Sequence, residues 1–332
     1  MTTATTVDTR TKFDAGGFLK KYAIIGILLL FVIALSILTG GTFLQPQNLI
    51  NVIRQVAAIG IIATGMTFVI IIKGIDLSVG SVLAVSAVVS ASLAQSPQAS
   101  VIMYPGLHLP LIVPVLAGLL VGALLGLING SLIAGFGIAP FIATLGMMTA
   151  ARGMANLYTN GRPVSRLQDG FNFIGQGDLL FIPVPIWILL IVAVSAHIAL
   201  NFTRFGRHTY ALGGNEQAAR VSGINLKGVT ISIFALSGLL AGLAGILLAA
   251  RTGSGNPTLG TGIELDAITA TVIGGTSFNG GIGTIWGAVV GALIIGVINN
   301  GMDLLNISPF MQQVVKGAII VLAIIIDERK NR

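Results

Sequence analysis

The run Val229–Ala250 contains no charged residue in 22 positions, and Pro110–Ala134 contains none in 25. An uncharged apolar run of about 18 residues or more is long enough, as a helix, to cross the ~30 Å hydrocarbon core of a bilayer. Lipid offers no partner to backbone amide and carbonyl groups, so such a run must satisfy them within itself, as a helix does. Apolar runs recur along the whole chain, which is 54% hydrophobic and only 9% charged with a mean hydropathy of +0.95. Soluble domains carry about 25% charged residues. The expected fold is therefore an all-α polytopic membrane protein. Its 44 glycines suit close helix packing in lipid, where small residues let backbones approach.

Ten apolar segments can be traced: about Tyr22–Thr39, Gln55–Ile72, a run opened by Gly74–Ser81 and ending near Ala94, Pro110–Ala134, Pro140–Tyr158, Phe181–Phe202, Val229–Ala250, Ile263–Gly275, Thr284–Met302 and Pro309–Ile326. Between them, Gln45–Arg54 reads as an amphipathic lead-in, Asn160–Leu180 as a polar loop, and Arg251–Thr261 as a Gly/Pro-rich surface segment. Residues 1–21 read as an N-terminal tail anchored by Lys20 and Lys21, and 327–332 as a C-terminal tail. The N-terminal run lacks a small-residue cleavage site, so a removed signal peptide is not expected. Ten crossings put both termini on one side. Lys and Arg then decide which side. The two tails and the stretch Thr203–Gly228 hold eleven (Arg10, Lys12, Lys20, Lys21, Arg204, Arg207, Arg220, Lys227, Arg329, Lys330, Arg332), against four (Arg54, Arg162, Arg166, Arg251) on the other face. The richer side is cytoplasmic. The same rule accounts for the net charge of +7 without nucleic acid.

The halves echo each other. Ile138-Ala139-Pro140-Phe141 matches Ile307-Ser308-Pro309-Phe310, and Val121-Gly122-Ala123-Leu124 matches Val290-Gly291-Ala292-Leu293, both at an offset of 169. Five spans per copy (about 22–159 and 181–326) force opposite orientations, an inverted repeat of the kind used by transporters.

Several chemistries are excluded or disfavoured. There is no cysteine, and His108, His197 and His208 form no metal-binding pattern. No Ser-His-Asp or G-x-S-x-G arrangement supplies a nucleophile, and no G-x-x-x-x-G-K-[ST] loop cradles a phosphate. The chain is thus expected to be non-catalytic, with no cofactor or metal of its own.

A few polar residues could carry function. Asp76, with Ser78, reads chiefly as a helix cap at the cytoplasmic start of the third span, with gating as the sharper reading. Glu264 and Asp266 read as a solvated or salt-bridged helix start, paired with Arg251, or as a contact to an external partner. Asn129, Asn299 and Asn300 suit either helix-to-helix hydrogen bonding or a polyhydroxylated, uncharged solute in a translocation pathway. Arg152 and Lys316, inside apolar runs, read as snorkelling or bonded to backbone carbonyls. Thr203–Gly228 is the one polar island between spans. Within it E-Q-A-A-R reads as a short helix bounded by Gly213-Gly214 and Gly223.

Five stretches together resemble the permease subunit of ribose/galactose-type sugar ABC importers, in the larger group with branched-chain amino acid permeases: Gly65–Ala84 (GMTFVIIIKGIDLSVGSVLA), Pro140–Met148 (PFIATLGMM), Thr203–Asn225 (TRFGRHTYALGGNEQAARVSGIN), Glu264–Thr284 (ELDAITATVIGGTSFNGGIGT) and the motif spanning Asn299–Gly317. The resemblance covers nearly the whole chain past the N-terminal tail. It implies a homodimer of permeases in the bacterial inner membrane, a cytoplasmic sugar-import ATPase that binds ATP and Mg, and a periplasmic sugar-binding protein. It also implies that Gly213, Gly214, Asn215, Glu216, Ala218, Ala219, Arg220, Gly223 and Ile224 form the segment that couples to the ATPase. The tail motif leans toward ribose. The competing expectation is an ion-coupled secondary transporter, with Asp76, Glu264 and Asp266 as ion sites.

Overall fold

The computed structural model describes residues 15–330 apart from 100, 107 and 108, and for 15–23, 326 and 330 it describes the backbone only. His108, Arg10, Lys12, Arg332 and the side chains of Lys20, Lys21 and Lys330 lie outside the described residues.

In chain order the helices are α1 (Ala15–Leu38), α2 (Pro46–Ile71), α3 (Val79–Leu93), α4 (Ile112–Phe136), α5 (Pro140–Thr159), α6 (Asp169–Gln176), α7 (Val184–Phe202), α8 (Arg204–Gly214), α9 (Glu216–Val221), α10 (Leu226–Thr252), α11 (Ile263–Ile273), α12 (Ile285–Leu304) and α13 (Pro309–Lys330). One turn of 3₁₀ helix, Thr42–Leu44, joins α1 to α2. Two-residue strands make two small antiparallel pairs: β1 (Val164–Ser165) with β4 (Ser254–Gly255), and β2 (Asp178–Leu179) with β3 (Ile182–Pro183). Proline opens α2 and α5, where its missing N–H removes a donor that has no intrahelical partner anyway.

Among the described residues, six helices are long and apolar enough to cross a membrane: α2, α4, α7, α10, α12 and α13. The chain is a largely α-helical, multi-pass membrane protein. Helices α3 and α11, with 15 and 11 residues, are about 22 and 16 Å long, too short for the ~30 Å core. Thirteen of the 15 residues of α3 and seven of the 11 of α11 are buried, so protein covers most of both. Each follows a break in a long helix. Helix α2 stops where Lys73 takes φ 62 and the amides of Lys73 and Gly74 turn back to the carbonyls of Ile70 and Val69. Helix α10 stops at Gly253, φ 65.

The most extensive helix-to-helix packing joins α4 to α10. Gly118, Gly122, Gly126 and Gly130 form a stripe at four-residue spacing along α4. A Cβ at Gly122 would lie 2.9 Å from Gly242 Cα, one at Gly238 2.7 Å from Gly126 Cα, and one at Gly130 2.7 Å from Ile231 Cα. Backbones in such direct contact leave dispersion and packing, not side-chain burial, to hold the pair.

Four expectations change. Gln45–Arg54 is no separate lead-in but, from Pro46, the first turns of α2. The polar loop Asn160–Leu180 contains α6, whose Phe171 is fully buried and whose end closes on α10: Gln176 Nε2 donates to the carbonyls of Ala250 (3.2 Å) and Arg251 (3.0 Å). Two aromatics and an isoleucine among glycines and polar residues gave that helix one apolar face too short to stand out. Arg251–Thr261 is not a plain surface segment. Gly255 and Pro257 are buried, Gly255 against Ala87 and Ala91, and Gly260 lies against Gly80 and Leu83 of α3. Finally, α13 continues through the expected tail, where Asp327 accepts from Ser277 Oγ and the Phe278 amide, both at 3.1 Å.

Candidate functional site

Thr203–Gly228 folds into α8, α9 and the start of α10. Thr203 caps α8 by accepting from the Gly206 amide at 3.3 Å, and Asn215 caps α9 by accepting from the Ala218 amide at 2.9 Å. Such caps satisfy amides that a helix start leaves free. Gly223, at φ 77, ends α9, with its own amide on the Arg220 carbonyl and that of Ile224 on Ala219. The short helix read from E-Q-A-A-R is thus present, extended by Val221.

The segment is seated rigidly. At Gly213 a Cβ would collide with the Ile71 carbonyl and sit 2.7 Å from the Gly281 amide nitrogen. Gly281 itself donates to Ile71 O at 2.9 Å, and Tyr210 Oη donates to Gly283 O at 2.7 Å. Burial pushes the Tyr210 hydroxyl above its ordinary 10.0, which keeps it protonated and donating. The segment therefore rests on the end of α2 and on the turn between α11 and α12, where Gly280 and Gly281 both have positive φ.

The nine residues read as one group divide in two. Gly213 and Ala219 are buried and Ile224 is half-buried; they seat the segment. Gly214, Asn215, Glu216, Ala218, Arg220 and Gly223 are exposed. Glu216 is occupied by Arg220, an i,i+4 ion pair at 2.8 Å, of a kind worth about 0.3–0.5 kcal/mol on a surface. Sequence reasoning missed Gln217 and Val221. Val221 is 90% exposed and stands three residues from Ala218, the spacing that puts two side chains on one face. That spacing was the available signal.

The remaining candidates sit in two buried networks. Asp76 is 1% exposed. Its Oδ1 accepts from the Ser78 amide (3.0 Å) and Ser78 Oγ (2.6 Å), and its Oδ2 from Ser237 Oγ (2.9 Å). Asn129 Nδ2 donates to Ser78 Oγ at 2.9 Å. Asp76 does bond the chain at the start of α3, but three residues ahead of the helix and not at a surface. Ser237 lies 11 residues into α10 and Asn129 seven from the end of α4, depths of about 16 and 10 Å.

The second network holds Asp266, whose Oδ2 accepts from Lys316 Nζ (2.9 Å) and Asn299 Nδ2 (3.1 Å). Asp266 is buried and paired with Lys316 rather than solvated or paired with Arg251. Glu264 is half-buried and turns back onto the Gly262 amide at 3.2 Å. Arg152 does reach backbone carbonyls: Nη1 donates to Pro257 O (2.5 Å) and Leu259 O (2.9 Å), and Nη2 to Gly80 O (3.4 Å). Irregular backbone inside a membrane protein needs such partners. Asn300 exchanges two 2.9 Å hydrogen bonds with Asn48. Asn299 and Asn300 thus join helices, and Asn129 ties α4 to the irregular stretch ahead of α3. Among the described residues no group of His, Asp or Glu could hold a metal ion.

A bundle with six helices of membrane-crossing length and apolarity among the described residues belongs to the class of multi-pass membrane proteins. The family model for the branched-chain amino acid transport system / permease component matches residues 48–324, and the chain belongs to that family. It is 46% identical over 324 residues to the ribose import permease protein RbsC of Bacillus subtilis (strain 168), covering 97% of this chain and 96% of the relative. It is 43% identical to RbsC of Escherichia coli (strain K12), covering 99% and 100%. It is 39% identical to the galactose/methyl galactoside import permease protein MglC of the same strain, covering 92% and 93%. No solved structure matches the chain.

Proposed function

We propose that this chain is the membrane-spanning subunit of an ATP-binding cassette importer that carries a neutral monosaccharide, ribose or a related sugar, across the bacterial cytoplasmic membrane. ATP and Mg are bound by a separate cytoplasmic ATPase, and a periplasmic binding protein delivers the sugar to a permease homodimer. The observation that carries the reading is α9, capped, exposed and held on a seat where a partner's force passes directly to α2 and to the α11–α12 turn. The relatives named for ribose are more similar than those named for galactose, which favours ribose.

The bundle is proposed to cross ten times, as inverted repeats of about 22–159 and 181–326 with both termini cytoplasmic. In support, each half has a long helix, a break at positive φ, an irregular segment and a short buried helix. In each half an aspartate is linked to an asparagine at corresponding places in α4 and α12, through Ser78 for Asn129 and directly for Asn299.

Reconstitution tests the reading. The permease with its ATPase and binding protein in liposomes should take up ribose on ATP addition, and uptake should survive collapse of ion gradients. Accumulation driven by an imposed proton or sodium gradient without ATP would establish the ion-coupled alternative, for which Asp76 is the deepest carboxylate among the described residues.

A further inference from the structure

A cavity of about 450 Å³ opens between the ends of α2, α4 and α10 and the segment α8–α9. Lys73, Lys227 and Arg220 line it, with Glu216 as its one acid, and so do the apolar Ile133, Leu212, Leu226 and Phe234. Glu216 is already neutralised by Arg220, whereas Lys73 and Lys227 have no acidic partner among the described residues. The lining is part cationic and part apolar. Phe136 and Phe141, each next in sequence to a lining residue (Gly137 and Pro140), are 79% and 50% exposed, so exposed apolar surface suited to acyl chains adjoins the cavity.

Lys73 supplies the second observation. Its φ of 62 is left-handed, which is strained for a residue with a Cβ and which glycine adopts freely. A lysine standing at such a position points to its side chain as the reason. The stem is also laid down in one direction: a Cβ at Gly280, itself at φ 78, would fall 2.6 Å from Lys73 Cγ and 2.7 Å from Cε.

We propose that this cavity binds the phosphate of an anionic phospholipid, with the Lys73 and Lys227 ammonium groups on the phosphate and the acyl chains along the α4–α5 turn. Basic pockets between transmembrane helices recognise such head groups, at about a factor of five in affinity per cation. Because Glu216 and Arg220 of α9 form part of the wall, the bound lipid would brace the proposed coupling helix from behind. Assignment to the inner leaflet rests on the cytoplasmic reading of Thr203–Gly228. Binding measured in detergent does not, so the two can fail separately.

The test is native mass spectrometry of the purified full-length chain with phosphatidylglycerol and with phosphatidylcholine of the same acyl chains, and with inorganic phosphate. Phosphatidylglycerol should be retained in preference, one tight molecule per chain. Lys73→Gln with Lys227→Gln should weaken retention by roughly thirtyfold, while Lys73→Arg with Lys227→Arg keeps it. Lys73→Gly fits the left-handed backbone, so it should fold at least as well as the parent and still lose most of the preference. Equal retention of both lipids, or unchanged retention in the Gln pair, overturns the proposal. Inorganic phosphate binding with no preference between lipids would make the ligand a free anion. Loss of ATPase recruitment in the Gln pair with lipid retention intact would make the cavity a protein contact.

Discussion

Gly213 and Gly214 are neighbours at the end of α8, and the same substitution should have opposite effects at the two. A Cβ at Gly213 would lie inside contact distance of the Ile71 carbonyl oxygen and 2.8 Å from its carbon, whereas at Gly214 nothing lies within 4 Å. Relieving the first clash requires α8 to back away from α2, an overpacking cost of about 1–3 kcal/mol. The Gly281 amide, bonded to the same Ile71 carbonyl at 2.9 Å, would lose a contribution of about 0.5–1.5 kcal/mol. Together Gly213→Ala should cost about 2–4 kcal/mol. Replacing glycine in a helix returns up to about 1 kcal/mol at either position, so the difference between the two variants isolates the clash. In detergent, with no ATPase present, the thermal midpoint of Gly213→Ala should fall about 5–10 °C below that of Gly214→Ala, and Gly214→Ala should match or exceed the parent. Equal midpoints would refute the argument that Gly213 is glycine because a backbone occupies the space of its side chain.

Lys316→Met strands the buried Asp266 carboxylate and should cost about 3–5 kcal/mol, Asp266→Asn leaves the part-exposed Lys316 and should cost less, and the double variant should cost less than Lys316→Met, as read from thermal midpoints of all four forms. On the exposed face, Ala218→Arg and Val221→Asp should leave the midpoint within about 0.5 kcal/mol of the parent yet abolish ATP-driven uptake. Normal uptake in both would remove this face from the coupling surface. Tyr210→Phe deletes the hydrogen bond to Gly283 and should cost about 0.5–1.5 kcal/mol. Because the hydroxyl's folded pKa is raised, its contribution is complete below pH 10 and declines as pH rises through the folded value. The gap between parent and Tyr210→Phe should therefore narrow only in strong alkali.

The parts of this molecule that were legible in its sequence are those set by neighbours along the chain. Uncharged runs mark the long helices, and a capping Asn215 followed by E-Q-A-A-R and Gly223 marks α9, because caps and helix propensity act over a few residues. The pairing of Asp266 with Lys316 joins positions 50 apart, and Arg152 reaches carbonyls more than 100 positions away. Nothing local to either residue encodes such partners. Asp76 was misjudged in depth for a related reason. The break after α2 looked like a membrane surface, but the chain continues inward through an irregular stretch that Ser237 and Asn129, from two other helices, make tolerable. The division of the proposed coupling segment into seat and face is equally hidden, since Gly213 and Gly214 are the same letter and differ only in what stands opposite.

The glycine stripe on α4 bears on how the protein is made. Helix α4 ends at Phe136 and its partner α10 begins at Leu226, so the ribosome delivers the first 90 residues before the second. Throughout that interval Gly118, Gly122, Gly126 and Gly130 face lipid or a transient neighbour, because the backbone they match has not been synthesised. The amino-terminal half cannot complete its own packing, however well each of its helices inserts. A chain truncated before α10 would present an open groove to the bilayer and to the quality-control proteases that patrol it.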